Sequence, residues 1–554
     1  MIRPDRWQPA DGLKLEPNAL AAARETSRSL ALTAGPGAGK TEMLAQRADF
    51  LLRTGTCPYP QRILAIAFKV DAASNLKERV RRRCGPELAA RLDSHTFHAF
   101  AKRLIDRFRP ALTGRDALHA HYSVGSPRIQ GRQIEFEDMV PLAVQILQTC
   151  EVARNAVRQT YSHVFLDEFQ DCTDVQYQLI CEAFRGTGIP LTAVGDTKQR
   201  IMGWAGALEG VFGTFAGDFN ARPLNLYQNF RSLPRLRRMQ NAMVKVMDPP
   251  AAVADEELNG PGGSVEIHSF EDSQQEADSI ADLVQHWIEE DELAPSEIAI
   301  LVSRQPHLYA DLVMAALGNR GIAFRNEQEL QDLGAEPATR LIIDFLSVVV
   351  SDRDPDAYGR LMSTLLATGV DEDAAYRERS RWHRFIDDVR KQMRDGDGQI
   401  KGNADSLRHH AEALLELLGR RAIVALSADY ERGPRLDDVI EQTFARLEEL
   451  YRHGTSAAEA LSRFSEDRAV RIMTIHKSKG LEFDTTVILG VEEQTFWGNR
   501  SEERAAFFVG ISRAKRRLLL TVAERRQRPT QAPRRWDEYR TPLQEFLGYA
   551  RHTE

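Results

Sequence analysis

Short apolar runs punctuate this chain, separated by longer stretches in which apolar residues recur every three or four positions. The runs are "SLALTA" (29–34), "ILAIAF" (63–68), "HVFLDE" (163–168), "LTAVGD" (191–196), "IAILVS" (298–303) and "TTVILG" (485–490). Runs of this kind predict strands buried on both faces, and the amphipathic stretches between them predict helices. The alternation predicts an α/β fold with mostly parallel sheets, whose chemistry lies at the carboxyl ends of strands. The runs form two sets, divided near residue 218. Each set is interrupted: residues 100–158 carry little strand signal, and 351–465 are almost wholly helix-like, with "ADSLRHHAEALLELLG" a clear amphipathic example. The expected organisation is a first core over 1–99 and 159–218 with a short helical insertion at 100–158. A second core covers 219–350 and 466–554, with a helical insertion at 351–465. "DPPAAVADEELNGPGG" (248–263) reads as an exposed loop.

Composition changes this picture modestly. The 554 residues are 42% hydrophobic and 28% charged, a globular profile with ample core. No apolar run is long enough to span a membrane, and "MIRPDRWQPADGLKLEP" lacks a signal-peptide stretch, so a cytoplasmic protein with no membrane partner is expected. Cys57, Cys84, Cys150, Cys172 and Cys181 form no CxxC pair and have no zinc-like histidine spacing, so they read as reduced thiols. "RHH" at 408–410 is a poor metal site, because adjacent helical residues point apart. The net charge of −7 rules out a global polycation, but phosphate contacts need only local patches. "KERVRRR" (77–83), "RSLPRLRR" (231–238), "RAKRR" (513–517) and "RRQRPTQAPRR" (525–535) are candidates, although each taken singly reads first as a solvated face.

The chemistry-bearing stretches are more specific. "LTAGPGAGKTEML" (32–44) follows a predicted strand and opens a helix, as a P-loop does. Gly35, Gly37 and Gly39 let backbone N–H groups turn toward phosphate, Lys40 reaches the β/γ oxygens, and Thr41 can hold Mg²⁺. "VFLDEFQD" (164–171) delivers two acids at a strand end. Asp167 suits the metal and Glu168 suits the attacking water, since one carboxylate cannot serve both equally. In "VGDTKQRIMGWAGA" (194–207), Gln199 is placed to read a phosphate and Trp204 to hold a base.

The order "AGPGAGKT", "AFKVDAA", "HTFHAFAKRL", "FLDEFQD", "VGDTKQRIMGWAGA", "LYQNFRS", "MTIHKSKGLEFD" and "FFVGISRAKRRL" resembles the UvrD/Rep family of superfamily 1 helicases. That resemblance implies two RecA-like P-loop NTPase cores closing on one ATP with Mg²⁺, and 3′-to-5′ movement along single-stranded DNA. It implies γ-phosphate contact by Gln199 and arginine fingers at Arg231 and Arg513. Phe230 would stack on adenine, with Gly480 and Glu482 completing the nucleotide site. The strand would be held by Phe68, Thr96, Phe97, His98, Trp204 and His476. Phe68 and Phe97 read equally well as core residues.

The chain also departs from that family's pattern. Ala19, beside Asn18, stands near where the family has an adenine-reading glutamine. Arg200, Met202 and Ala205 replace the family's frequent Ser, Tyr and Arg. Both insertions are small. "AERRQRPTQAPRR" (523–535) has no aromatic before Trp536 to serve as a strand-separating pin. Translocation is therefore the firmer expectation than unwinding. More distantly, the trimmed insertions resemble the helicase-like subunit of the Gabija anti-phage system, which implies a separate nuclease as partner. No carboxylate–lysine nuclease cluster follows Arg513.

Overall fold

The computed structural model describes residues 2–68, 70–125, 127–199, 207–326, 333–350, 354–365, 372–394, 403–424, 426–427, 430, 435–452, 456–458, 460–461, 469–529, 532 and 536–551. It divides into two compact units. One comprises Met1–Tyr122, Arg128–Phe324 and Val470–Glu554, and the other Ser123–Pro127 and Arg325–Ala469.

The first unit holds two parallel sheets. In chain order the strands of the molecule are β1 (Leu30–Ala34), β2 (Arg62–Ala67), β3 (Leu92–Thr96), β4 (Leu118–Val124), β5 (Gly131–Ile134), β6 (Tyr161–Leu166), β7 (Leu191–Gly195), β8 (Arg222–Leu226), β9 (Ser264–Asp272), β10 (Ile298–Val302), β11 (Phe324–Asn326), β12 (Val470–Thr474), β13 (Phe483–Ile488) and β14 (Ala514–Arg525). The first sheet runs β3-β2-β6-β7-β1-β8, and the second runs β11-β12-β10-β13-β14-β9. In the first sheet every registered pair is parallel, for example Leu32 opposite Val194 and Leu224. Burial on both faces explains the unbroken apolar runs: β7 and β10 are buried at every position. Helices cover those faces, as with Lys40–Arg53, whose Met43, Leu44, Ala48 and Leu51 pack into the core beneath β1. The expected α/β class with two parallel cores is what the chain forms.

Two expected boundaries move. Residues 219–226 do not open the second core, because β8 pairs with β1 and closes the first sheet. Helix Pro337–Val350, expected in the second core, belongs to the other unit. There Leu341, Ile342, Phe345, Leu346 and Val349 share one buried cluster with Trp382, Leu414 and Phe444. That unit is helical, with long amphipathic helices at Glu372–Met393, Ala404–Leu418 and Arg435–Arg452. Inside it the Thr339 and Thr443 hydroxyls meet at 2.7 Å. The segment after β3 carries helices at Phe97–Phe108, Met139–Thr149 and Glu151–Thr160 together with the two-stranded sheet of β4 and β5. Among the described residues no helix is long and apolar enough to cross a membrane.

Candidate nucleotide cleft and strand-binding edge

The carboxyl ends of β1, β6 and β7 are neighbours in the first sheet, and each leads into one part of a single site. After β1 the P-loop turns through Gly37 and Gly39, both in the left-handed region at φ 68° and 71°. Gly37 is needed for a second reason: a Cβ there would lie 2.6 Å from the Cβ of Arg231. The turn Asn229–Arg231 thus rests directly on the P-loop, and the Phe230 N–H donates to the Gly37 carbonyl at 3.0 Å. Phe230 stays 64% exposed, with its ring beside Gly39. A cavity of about 440 Å³ opens alongside, lined among others by Gly35, Pro36, Lys198, Tyr227, Phe230 and Gln240.

After β6, Asp167 and Glu168 stand side by side. Glu168 has a left-handed backbone (φ 51°), which a non-glycine residue adopts at some cost and which here aims its carboxylate. Burial and the adjoining Glu168 charge raise the Asp167 carboxyl well above the usual carboxylate range, against the pull of Lys40. Burial also acts to raise Glu168, but Lys40, Lys479, a hydrogen bond from the Gln170 amide and Arg513 more than offset it and hold that carboxyl low. Two neighbouring carboxyls are thereby driven apart: Glu168 stays ionised, while Asp167 keeps its proton to higher pH because protein cations compensate its charge incompletely. Such a carboxylate fits a divalent cation arriving with a nucleotide. Thr41, in the first turn of the P-loop helix, is the expected second protein ligand. Among the described residues no cluster of three or more His, Cys, Asp or Glu is arranged for a metal.

After β7, Gln199 donates to Asp196 at 3.0 Å and offers its carbonyl oxygen outward. The second core reaches it there. Arg513 donates from Nη2 to Gln199 Oε1 at 2.9 Å, and from its other nitrogens to the Val509 and Leu481 carbonyls. Burial and the Arg231 charge disfavour the charged Arg513 guanidinium, while Glu168, Asp196 and Glu482 sustain it. Arg231 donates to Glu482 Oε2 at 2.8 Å and to the Ser512 carbonyl at 2.9 Å. Arg513 therefore meets Gln199 directly and lies within electrostatic reach of Glu168 and Arg231. Glu482 is brought in as the partner of Arg231, and Gly480 precedes it with φ 93°.

Lys479 was not anticipated. It is buried and donates to the Asp171 carboxylate and, at 2.8 Å, to the Gln199 carbonyl. Its sequence signal was available in "KSKGLE", one residue before the glycine that was singled out. Asp171 and Gln170 were overlooked likewise; Gln170 accepts from the Asp196 N–H at 3.0 Å while binding Glu168.

At the other end of the first sheet, β2 and β3 are neighbours, and Phe68 and Thr96–His98 follow them. The Thr96 hydroxyl caps helix Phe97–Phe108 by accepting from the Ala99 N–H. His98 stacks on the exposed Phe136, ring centres 3.9 Å apart. Phe97 is only 4% exposed and packs inward, and Phe68 is half-buried. His476 is half-buried on the second core, where burial and the charges of Arg304 and Lys479 disfavour its protonation. Trp204 lies outside the described residues, with Arg200, Met202 and Ala205.

Two departures have a structural consequence. Ala19 is buried, and Asn18 donates its amide to the Asn225 carbonyl at 2.7 Å. Glu16 accepts from the Tyr227 and Gln228 N–H groups. The segment that would read adenine instead ties the N-terminal helix to the turn after β8. Trp536 is equally occupied: its indole N–H donates to the Arg526 carbonyl, and Arg540 covers its ring at 4.4 Å.

The model of the UvrD-like helicase C-terminal domain matches residues 224–375 and 399–525, and the model of an AAA domain matches 18–205. The chain is 24% identical to the ATP-dependent DNA helicase PcrA of Leuconostoc citreum, over 91% of this chain and 81% of the relative. It is also 24% identical to DNA helicase II of Escherichia coli K12 (90% of this chain, 83% of the relative). The identity is again 24% to the ATP-dependent DNA helicase Rep of that organism (93% and 92%).

Proposed function

We propose, from the premise that this chain belongs to the UvrD-like helicase family, that it is an ATP-hydrolysing DNA helicase moving 3′ to 5′ on single-stranded DNA. The observation that carries the reading is the Arg513–Gln199 hydrogen bond, which joins a cation of the second core to the phosphate-reading position of the first.

In this reading the P-loop amides and Lys40 hold the triphosphate, and Phe230 stacks on the base. Asp167 and Thr41 would hold Mg²⁺, which would supply Lewis-acid stabilisation of the phosphate oxygens. Glu168, kept ionised, accepts a hydrogen bond from the attacking water and then its proton. Arg231 and Arg513 meet the charge that develops on the transferred phosphoryl group, which is worth about 10³–10⁵ in rate for one such arginine. Lys479, hydrogen-bonded to the Gln199 carbonyl, lies three residues after His476, so one short segment links hydrolysis to strand contact. The strand lies along Phe68, Thr96, His98, Trp204 and His476. Because the groups near Ala19 are engaged elsewhere, base selectivity rests on Phe230 stacking, which admits other nucleoside triphosphates. The protein acts in the cytoplasm, with its thiols reduced.

The test is ATP hydrolysis by the full chain with increasing single-stranded DNA, and translocation on strands labelled at either end. Stimulation by DNA, loss in Glu168→Gln and displacement only toward the 5′ end are expected. Hydrolysis indifferent to DNA at every concentration would contradict a motor and favour the regulatory-subunit reading, in which the protein controls a separate nuclease.

A further inference from the structure

The chain crosses from the first core to the second through the turn that follows β8, and Tyr227 and Phe230 of that turn line the cavity of about 440 Å³. One end of the cavity is shared with the nucleotide site: Gly35 and Pro36 of the P-loop line it, as does Lys198, the neighbour of Gln199. The facing wall belongs to the second core. Helix Pro234–Met247 contributes Arg237 and Val244, and the segment after it contributes Ala251 and Val253. That segment is pinned, because the Asn241 amide donates to the Val253 carbonyl and its oxygen accepts from the Val253 N–H, both at 2.9 Å. Tyr227, 56% exposed, and the exposed Glu257 mark where the cavity meets water.

Most polar groups of this cavity are engaged with one another. Asn229 donates to Gln240 at 3.0 Å, and Gln240 donates to the Ser232 hydroxyl at 3.1 Å. Lys198 lies between the Asp196 and Asp248 carboxylates, at 3.3 and 3.7 Å. Arg237 differs. Among the described residues its guanidinium has no hydrogen-bond or ion-pair partner, and its Nε is shut off from water. Its neighbours in "RSLPRLRR" are occupied, Arg231 with Glu482 and Arg238 with the Leu258 carbonyl. A donor buried without an acceptor loses the hydrogen bond it would make to water, so a cation left this way in a cavity calls for an anion. The paired amides offer no edge that would read a base, and Val244, Ala251 and Val253 are apolar. This set suits a small bare anion, and the P-loop end of the cavity is where ATP hydrolysis makes one.

We infer that this cavity is the route by which inorganic phosphate leaves after hydrolysis, with Arg237 as the cation that receives it. The inference rests on the ATPase reading and extends it to the step after bond cleavage. Water adds to the γ-phosphorus and the bond to the β–γ bridging oxygen breaks. One proton of that water passes to Glu168, the other stays on the new phosphate, and ADP is the leaving group. Phosphate then moves past Pro36 into the cavity, while ADP stays on the P-loop amides and Phe230. A single cation on an otherwise apolar passage offsets part of the cost of drawing phosphate out of water without trapping it, the balance that conduction requires. Phosphate thus leaves before the cores part, and its release does not wait for the cleft to open.

The test compares phosphate formed, read by acid-quenched flow, with phosphate set free, read by a fluorescent phosphate-binding protein, in the full chain with single-stranded DNA. Arg237→Gln is expected to slow the appearance of free phosphate about tenfold, the loss of one charged hydrogen bond, with phosphate formation and nucleotide affinity within about twofold of normal. Ala251→Leu, which narrows the passage without changing its charge, should produce the same lag, and Arg237→Lys should recover most of the normal rate. Free phosphate keeping pace with formation in both Arg237→Gln and Ala251→Leu would overturn the route. So would a loss of nucleotide affinity in Arg237→Gln, which would make this arginine part of the nucleotide site. No phosphate formed by the unaltered chain would instead overturn the ATPase reading.

Discussion

On the first core, the groups that face the nucleotide are placed by their own backbone. Gly37 and Gly39 hold left-handed turns, Glu168 holds another, and Asp167 accepts a hydrogen bond from the next N–H. On the second core, the facing groups are the tips of long side chains. Arg231 and Arg513 are propped on the carbonyls of Ser512, Leu481 and Val509, and with Lys479 they extend toward the other core. Backbone-held groups bind without outside help. Side-chain tips that cross a cleft act only while the cleft is closed, because a hydrogen bond weakens sharply once its partners separate by an ångström. The contrast supports a division in which the first core binds the nucleotide and carries the base Glu168, while the second core supplies charge stabilisation that acts only on closure and adds little to binding.

The sharpest way to break this comparison lies on the first core. Lys40→Ala should abolish nucleotide binding and lower hydrolysis by at least about a hundredfold, read by titration of a fluorescent nucleotide and by phosphate release. Glu168→Gln should lose hydrolysis to a similar extent yet keep the nucleotide. Next in size comes the buried Lys479–Asp171 pair. Lys479→Met removes the buried cation that pairs with Asp171 and should cost about 3 kcal/mol in urea unfolding, while Lys479→Met combined with Asp171→Leu should recover most of it. Failure of the double variant to recover would mean that Lys479 serves the Gln199 carbonyl more than Asp171. A smaller effect is expected at Phe230. Its alanine variant should raise the KM for ATP about fivefold with kcat little changed, and GTP should lose affinity in parallel because stacking does not discriminate bases.

The smallest effect concerns pH. Asp167 in the folded, nucleotide-free protein holds its proton at pH values where an ordinary aspartate, near 3.9, has lost it. The folded state then binds more protons than the unfolded one, so this group lowers stability as pH rises above about 4. Asp167→Asn should flatten that part of the stability–pH curve, and added Mg²⁺–ATP should flatten it in the unaltered protein.

Much of this was legible in the chain before any fold was known. The P-loop stretch, the acids after β6 and the arginine of "GISRAK" are local patterns, and local patterns survive any uncertainty about what packs where. The two-core α/β fold followed from buried parallel strands reading as unbroken apolar runs. What was hidden depends on distance. Lys479 and Asp171 are 308 residues apart, and Arg231 and Glu482 are 251 apart, so no periodicity announces either pair. β8 was missed because "RPLNL" is largely polar at its exposed sheet edge. Phe97 read equally as base platform or core residue, and its burial depends on which face of its helix turns inward.

The account stands or falls on whether binding and catalysis separate across the cleft. The direct measurement is nucleotide affinity and single-turnover hydrolysis in Arg513→Ala, on one preparation. The account predicts affinity within about threefold of the unaltered protein and hydrolysis slower by about 10³ or more. Affinity and rate falling together by the same factor would contradict it.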